Sequence, residues 1–151
     1  NSIQIRSATL DDLPTLLEFE QGIIATERPF DSTLVPGEFH YYDLAERIQD
    51  PDAEVVVAEI NGKVVAGGSA IIKEGNPYNT FKTYAFLGFM YVEPSHRGKG
   101  LNRLIIEWLV EWSRQKGLKE IRLHVYSDNL NAIHAYEKVG FSKILTEMRL
   151  E

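Results

Sequence analysis

The feature that most constrains this chain is an apolar stretch, residues 84–92, that leads through a glycine turn into an amphipathic helix. The apolar run is rich in aromatic residues, which is typical of a buried strand. Pro94 ends it, because proline cannot donate to a sheet ladder. The turn, residues 97–100, holds two glycines and two cations. Apolar side chains then recur at helical spacing and predict a helix with one buried face: Leu101, Leu104, Ile105, Trp108, Leu109 and Trp112.

This turn has the properties of an anion-binding site. Free backbone N–H groups and the helix dipole converge at a helix N-terminus. Gly98 and Gly100 let a phosphate approach the main chain without a Cβ in the way. Arg97, Lys99 and Arg103 make the stretch locally positive in a chain whose formal net charge is −6. The sequence therefore predicts a phosphate-binding turn.

Known phosphate-binding motifs fit the turn unequally. The P-loop pattern G-x-x-x-x-G-K-[ST] does not occur. The dinucleotide pattern G-x-G-x-x-G fails at Arg103, whose bulk opposes close helix–strand packing, although Glu120 follows at a suitable distance. The pattern R/Q-x-x-G-x-G/A fits residues 97–102 except at Asn102. This motif alone also allows a β–α turn that binds no ligand.

Composition limits the classes of protein to consider. A chain of 151 residues suits a single domain, residues 1–151. It contains no cysteine, which excludes disulfides, thiolate metal sites and a cysteine nucleophile, and is compatible with the cytoplasm. The negative charge argues against a nucleic-acid partner and is compatible with a cationic one. The N-terminal residues do not resemble the apolar segment of a leader peptide, and every apolar run is far shorter than the roughly 20 residues of a membrane span. No histidine pair has metal-ligand spacing, so no metal is predicted.

Alternation, helical periodicity and turn signals predict the remaining elements. In chain order these are a strand near 3–7, helices over 10–25 and 38–50, strands over 54–60 and 63–73 around the Asn61-Gly62 turn, the strand 84–92, the helix that ends at Lys116-Gly117, a strand over 121–126, a helix over 129–139 and a strand over 142–150. The pair Gly67-Gly68 predicts a bulge or a close backbone contact. The order β-α-α-β-β-β-α-β-α-β predicts an α/β (α+β) protein whose mixed central sheet carries helices on both faces.

A second motif occupies residues 129–141 and reads N-x-x-A-x-x-x-Y-x-x-x-G-F. On helical spacing alone, its Tyr136 is more typical of a core aromatic residue than of a catalyst. Together with V-x-P-x-x-R-G-K-G over residues 92–100, however, the motif resembles the GNAT superfamily of acetyl-CoA-dependent N-acetyltransferases. The element order is also that of the GNAT fold. The resemblance therefore covers essentially the whole chain in layout, and residues 84–141 in sequence.

The resemblance implies acetyl-CoA as the co-substrate. Backbone groups of residues 90–92 would pair with the pantetheine arm, and one N–H there would polarise the thioester carbonyl. The N–H groups of residues 98–103 would hold the pyrophosphate, and Asn129 would bind the cofactor arm. Asn102, where the family has glycine or alanine, predicts weaker or shifted binding. The implied cofactor-binding residues are Met90, Tyr91, Val92, Arg97, Gly98, Lys99, Gly100, Leu101, Asn102, Arg103, Asn129 and Tyr136.

The implied reaction is direct attack of an uncharged primary amine on acetyl-CoA in a ternary complex. Tyr136 would protonate the departing thiolate, because a phenol with an ordinary pKa near 10 is protonated at neutral pH. His124 aligns with the glutamate base of members that acetylate protein N-termini, and imidazole can take that role. A histidine that merely lines the sheet is an equal alternative, and Glu27 and Glu93 are weaker base candidates.

The acceptor amine is not fixed by these motifs. Acidic and aromatic residues between positions 20 and 42 would suit an organic cation: Glu20, Glu27, Asp31, Phe39, Tyr41 and Tyr42. Arg28 would instead suit a carboxylate, and the acceptor is either a small metabolite or a protein amino group. The alternative function is a non-catalytic acyl-CoA sensor on the same fold, and a nucleotide-binding oxidoreductase fragment is a weaker one. The last predicted strand could also pair across a homodimer.

Overall fold

Five strands form one sheet in the computed structural model, which describes residues 2–151. They lie side by side in chain order as β1 (Ile3–Ser7), β2 (Ala53–Ile60), β3 (Lys63–Glu74), β4 (Thr83–Val92) and β5 (Ile121–Leu123). The first four pair antiparallel, whereas β5 pairs parallel with β4. The helices are α1 (Leu13–Glu27), α2 (Leu44–Gln49), α3 (Leu101–Gln115) and α4 (Leu130–Lys138). The predicted mixed sheet is confirmed.

Each face of the sheet carries its own hydrophobic core. On one face, Leu101, Ile105 and Leu109 of α3 are almost completely buried against the strands. On the other, Leu16 and Phe19 of α1 pack with α2 and the central strands. Burying one such side chain contributes about 1.5–3 kcal/mol. The helical periodicity of residues 101–112 thus predicted the burial of these three α3 residues correctly, whereas Trp108, predicted on the same face, is exposed, and Ile106 is buried instead.

Two glycine-containing sites, the turn between β2 and β3 and a site within β3, have the conformations that the sequence predicts. Asn61 and Gly62 both have positive φ, 52° and 78°, as the predicted two-residue hairpin requires. The pairing of β3 with β4 shifts register between Gly67 and Ser69, which confirms the predicted bulge. A Cβ on Gly68 would lie 2.6 Å from Cγ2 of Ile105. The missing side chain therefore lets α3 lie close against the sheet.

The helix predicted over residues 38–50 is wrong for its first half. Only α2 is helical there, and it begins after Asp43, whose carboxylate accepts a hydrogen bond from the Glu46 N–H. The N–H groups of Tyr41 and Tyr42 donate instead to Glu20 on α1, at 2.8 and 2.9 Å. A distant carboxylate satisfies these donors, so the segment has no need of helical hydrogen bonds.

The strand predicted over residues 142–150 is also wrong. Residues 142–151 form no regular element, and the large apolar side chains Ile144, Leu145, Met148 and Leu150 are exposed. A strand needs a partner edge, and β5, predicted over 121–126, pairs over only three residues. Within residues 2–151, no helix has the length and apolarity needed to cross a membrane.

Candidate active site

A gap opens where β4 continues beyond its pairing with β5. The two strands are paired only where Ala85–Leu87 faces Ile121–Leu123. Phe89 in β4 has a positive φ of 53°, and its N–H donates to the Tyr42 hydroxyl at 3.2 Å. Met90, Tyr91 and Val92 follow with no strand on the β5 side. The backbone predicted to bind the pantetheine arm thus lies on an open strand edge.

The glycine turn lies between β4 and α3. Gly98 and Gly100 have φ values of 81° and 79°, which side-chain-bearing residues rarely adopt. A Cβ placed on either residue would meet nothing within 4 Å, so the space over the turn is open. Gly100 is the N-cap of α3, and no side chain caps this helix. The N–H groups of the first turn, from Leu101 to Arg103, therefore have no intrahelical acceptor and can bind an anion.

The cations of the turn are exposed, and two of them are anchored to the main chain. Nε of Arg97 donates to the Val92 carbonyl at 3.1 Å. Nη2 of Arg103 donates to the Lys138 carbonyl at 2.9 Å, which links α3 to the end of α4. Lys99 is exposed, whereas Asn102 is half-buried in the first turn. The structure thus brings together the predicted N–H donors and three positive charges.

Helix α4 presents the residues of the second motif. Oδ1 of Asn129 caps this helix by accepting from the Ala132 N–H at 3.3 Å, which leaves its amide N–H groups for other partners. Tyr136 packs edge-on to Phe141, with ring centroids 6.0 Å apart, and joins the core under α3. Burial, with a contribution from the charge of Glu27, raises the pKa of the Tyr136 phenol above its ordinary value. This phenol is therefore protonated at neutral pH, as the proton-donor hypothesis requires.

His124, predicted as the base, is exposed beyond the end of β5. Its ring meets the Phe86 ring edge-on at 4.7 Å between centroids. Nζ of Lys73 lies 4.1 Å from the centroid of that same Phe86 ring. Among the described contacts, none joins His124 to Tyr136. The role of His124 stays a prediction.

Glu20 has a structural role that sequence reasoning missed. Its side chain is completely buried. The carboxylate accepts hydrogen bonds from the N–H groups of Tyr41 and Tyr42, and its other oxygen lies 2.6 Å from Nδ1 of His40. This pairing raises the pKa of His40. Glu20 holds the segment and is not open to a substrate. The sequence could have indicated this role, because Glu20 lies on the apolar face of α1, between Leu16 and Ile23.

Arg28, the residue predicted to suit a substrate carboxylate, uses two of its guanidinium N–H groups within the chain, and its role towards a substrate stays a prediction. It donates to the Val35 carbonyl at 2.8 Å and to the Gly37 carbonyl, and it stacks on Phe39. Its charge therefore holds the loop that follows α1. Across residues 2–151, no group of three or more His, Asp or Glu side chains is placed to hold a metal ion.

Comparisons with known proteins agree with this geometry. The model of the acetyltransferase (GNAT) family matches residues 21–141. Streptothricin acetyltransferase from Streptomyces lavendulae is 30% identical over 94 residues, 62% of this chain and 47% of that protein. The chain thus spans less than half of this curated relative.

Solved structures share the whole architecture. A mutant protein from Bacillus halodurans superposes with a TM-score of 0.87 at 19% identity, with 98% of both chains covered. A predicted acetyltransferase from Clostridium acetobutylicum, crystallised with acetyl-CoA, has a TM-score of 0.74 at 19% identity, with 99% of this chain and 96% of that chain covered. At this identity the likeness establishes the fold.

Proposed function

The chain belongs to the acetyltransferase (GNAT) family, and on that premise we propose that it transfers the acetyl group of acetyl-CoA to a primary amine. The observation that carries the proposal is the uncapped N-terminus of α3 behind two left-handed glycines. Such a turn fits a pyrophosphate. It directly follows the open edge of β4, which fits the extended arm of the same cofactor.

The chain's own groups have distinct parts in holding the donor. The N–H groups of residues 98–103 bind the pyrophosphate, and the side chains of Arg97, Lys99 and Arg103 add positive charge. The backbone of residues 90–92 binds the pantetheine arm, and one of its N–H groups polarises the carbonyl that the amine attacks. The free amide N–H groups of Asn129 bind the arm from the other side. Acetyl-CoA, when bound, supplies the acetyl group as a thioester.

Tyr136 is the proposed proton donor to the departing sulfur. Its raised pKa keeps the hydroxyl protonated, and no hydrogen bond among the described residues occupies it. We propose direct transfer within a ternary complex, as the family resemblance implies, and the absence of a cysteine thiol that could carry the acetyl group agrees with it. The base that deprotonates the amine was predicted to be His124, and this role is open to test.

The first experiment measures thermal stability with acetyl-CoA, CoA and NAD. Binding to the native state at a hundredfold excess over Kd stabilises it by about 2.7 kcal/mol. We expect a shift with acetyl-CoA and CoA but none with NAD. A shift with NAD alone would instead favour the dinucleotide reading of the turn.

The second experiment follows CoA thiol release with a panel of primary amines. Tyr136→Phe should lower kcat by roughly 10²–10⁴ and leave acetyl-CoA affinity unchanged, since only the proton donor is lost. Tyr78→Phe, at an exposed loop residue, is the control. Full turnover by Tyr136→Phe would remove this residue from the donor role. Tight acetyl-CoA binding with no turnover of any amine would favour a non-catalytic acyl-CoA sensor.

A further inference from the structure

Helix α2 places one cation, Arg47, against the strand that borders the gap. Nη1 of Arg47 donates to the Ser69 hydroxyl at 3.0 Å, and this buried hydroxyl donates to the Gly88 carbonyl at 3.3 Å. Ser69 and Gly88 are paired neighbours in β3 and β4. Two successive hydrogen bonds therefore connect Arg47 to the residue before Phe89, whose positive φ precedes the open edge of β4.

Tyr42 restrains the same guanidinium from a second direction. Cζ of Arg47 lies 4.7 Å from the centroid of the Tyr42 ring. The Tyr42 hydroxyl in turn accepts the hydrogen bond from the Phe89 N–H at 3.2 Å. The guanidinium is thus held in place beside β4 by contacts within the chain. A group that is already oriented loses less conformational entropy when it binds a ligand.

Arg47 also lacks an acidic partner. Ion pairs within residues 2–151 include four other arginines, Arg6, Arg103, Arg122 and Arg149, but not Arg47. Its hydrogen bond to Ser69 has a neutral acceptor. Burial lowers the pKa of Arg47, and the charges of Tyr42, Glu20 and Glu46 oppose this shift. A half-buried charge without a counter-charge is costly, and a bound anion would remove part of that cost.

The sheet face beside Arg47 has room for a ligand. Gly88 is only half-buried, and a Cβ placed on it would meet the Tyr42 hydroxyl and ring at 3.8 and 3.9 Å, which is ordinary contact. Phe86, two residues earlier on the same face, is also half-buried, and Nζ of Lys73 lies 4.1 Å from its ring centroid. An organic anion would therefore meet an aromatic ring and two positive charges along this face.

The position of Arg47 along β4 suits a short acceptor. A strand rises about 3.3 Å per residue, so Gly88 lies about 7 Å from Met90, where the backbone proposed to bind the pantetheine arm begins. The amino and carboxylate groups of an α-amino acid are attached to one carbon atom. A single small molecule can therefore contact Arg47 and present its nitrogen to the thioester. The planar fork of arginine matches the two oxygens of a carboxylate.

We propose that Arg47 binds a carboxylate of the acceptor, and that the acceptor is an amino acid or another primary amine with a carboxylate close to its amino group. This inference rests on the proposed acetyl transfer and names its substrate class. It assigns the carboxylate to Arg47 and not to Arg28, the arginine that the sequence indicated.

The test compares acceptors that differ only by the carboxylate, with CoA thiol release as the measurement. The panel contains the common amino acids with a primary amino group and the amine that lacks the carboxylate of each, such as phenylalanine and phenethylamine. In the pair that is turned over fastest, wild-type kcat/KM should be at least tenfold higher for the amino acid.

Variants of Arg47 should change this preference. Arg47→Gln should lower kcat/KM for the amino acid by about ten- to a hundredfold and change kcat/KM for the matching amine far less. Arg47→Lys keeps the charge but not the fork, so it should retain more of the preference. A loss of stability alone would lower both rates equally, so the ratio separates binding from folding. Arg114→Gln, at an exposed residue of α3, is the control.

Calorimetry on the CoA-loaded protein measures acceptor binding without reaction. The preferred amino acid should bind at least tenfold more weakly to Arg47→Gln than to wild type, whereas Arg114→Gln should bind it as wild type does. CoA affinity should be the same in all three proteins.

Four outcomes would overturn the inference. Equal or faster turnover of the amines without a carboxylate removes the substrate class. A preference that persists in Arg47→Gln removes Arg47 from this role, and its loss in Arg28→Gln alone assigns the carboxylate to Arg28. In these three cases turnover itself upholds acetyl transfer. Absence of turnover with any amine overturns the proposed function together with this inference.

Discussion

The turn between β4 and α3 and the segment between α1 and α2 flank the same gap but are built in different ways. The turn is made of main-chain groups, and its conformation depends on two glycines with positive φ. The segment is held by side chains, above all by the buried carboxylate of Glu20. The first region therefore has a local sequence signature, whereas the second depends on contacts between distant residues.

Removal of the Glu20 carboxylate should have the largest effect on stability. Glu20→Ala leaves two N–H groups without an acceptor, at a cost of roughly 1–3 kcal/mol for each. Urea unfolding measures the loss, and Glu18→Ala, at an exposed position of the same helix, is the matched control. Equal losses in the two variants would mean that side-chain contacts do not hold the segment as described.

A substitution in the glycine turn should affect binding more than folding. Gly100→Val puts a β-branched residue at a φ of 79°, which costs about 1–3 kcal/mol of strain. Its side chain also enters the open space over the turn, so we expect acetyl-CoA affinity to fall at least tenfold by calorimetry.

Gly117→Val provides the control for that substitution. Gly117 follows the other end of α3 with a φ of 80° and, like Gly100, has open space around a placed Cβ. The two variants should lose similar stability, but only Gly100→Val should lose binding. Unchanged affinity in Gly100→Val would remove the turn from the cofactor site.

The smallest expected effect concerns Asp31, which accepts a hydrogen bond from the Tyr126 hydroxyl and so links the loop after α1 to the segment after β5. Hydrogen bonds from Thr33 and Tyr126, with the charge of Arg149, lower its pKa from 3.8 to about 2. A depressed carboxyl pKa stabilises the fold above pH 4, and this contribution disappears as the pH falls from about 4 to about 2. The difference in Tm between wild type and Asp31→Asn should therefore shrink over that interval. A difference that stays constant with pH would show that the ionised form of Asp31 does not matter.

The contrast between the two regions also explains which sequence predictions succeeded. The hairpin at Asn61-Gly62, the bulge at Gly67 and the helix after Gly100 depend on backbone conformations that only a few residue types allow, so the sequence marks them. The helix predicted before Asp43 failed because Glu20, far away in the chain, accepts its N–H groups. The strand predicted over residues 142–150 does not form. Alternation of apolar and polar residues suits a strand, but a strand also needs the edge of another strand to pair with.

The same contrast explains which residues of the candidate site the sequence could indicate. The glycine turn and the motif of Asn129 and Tyr136 could be proposed from sequence because each depends on the spacing of residues along a short stretch of chain. Glu27 stays a weaker base candidate, because its neighbours Asp31 and Tyr41 approach it through the loop after α1 and not through a spacing that the sequence displays. The two hydrogen bonds of Arg28 could not be predicted, because their acceptors are carbonyl groups that every residue possesses.

The construction of the glycine turn has a consequence for how such a chain can diverge. Recognition by main-chain N–H groups survives most substitutions, because every residue except proline carries such a group. Substitutions among the side chains of the segment between α1 and α2 can accumulate without loss of these N–H groups. If the proposed acetyl transfer holds, a lineage built on this turn can therefore change its acceptor by a few mutations, while the demand for glycine at positions 98 and 100 stays fixed.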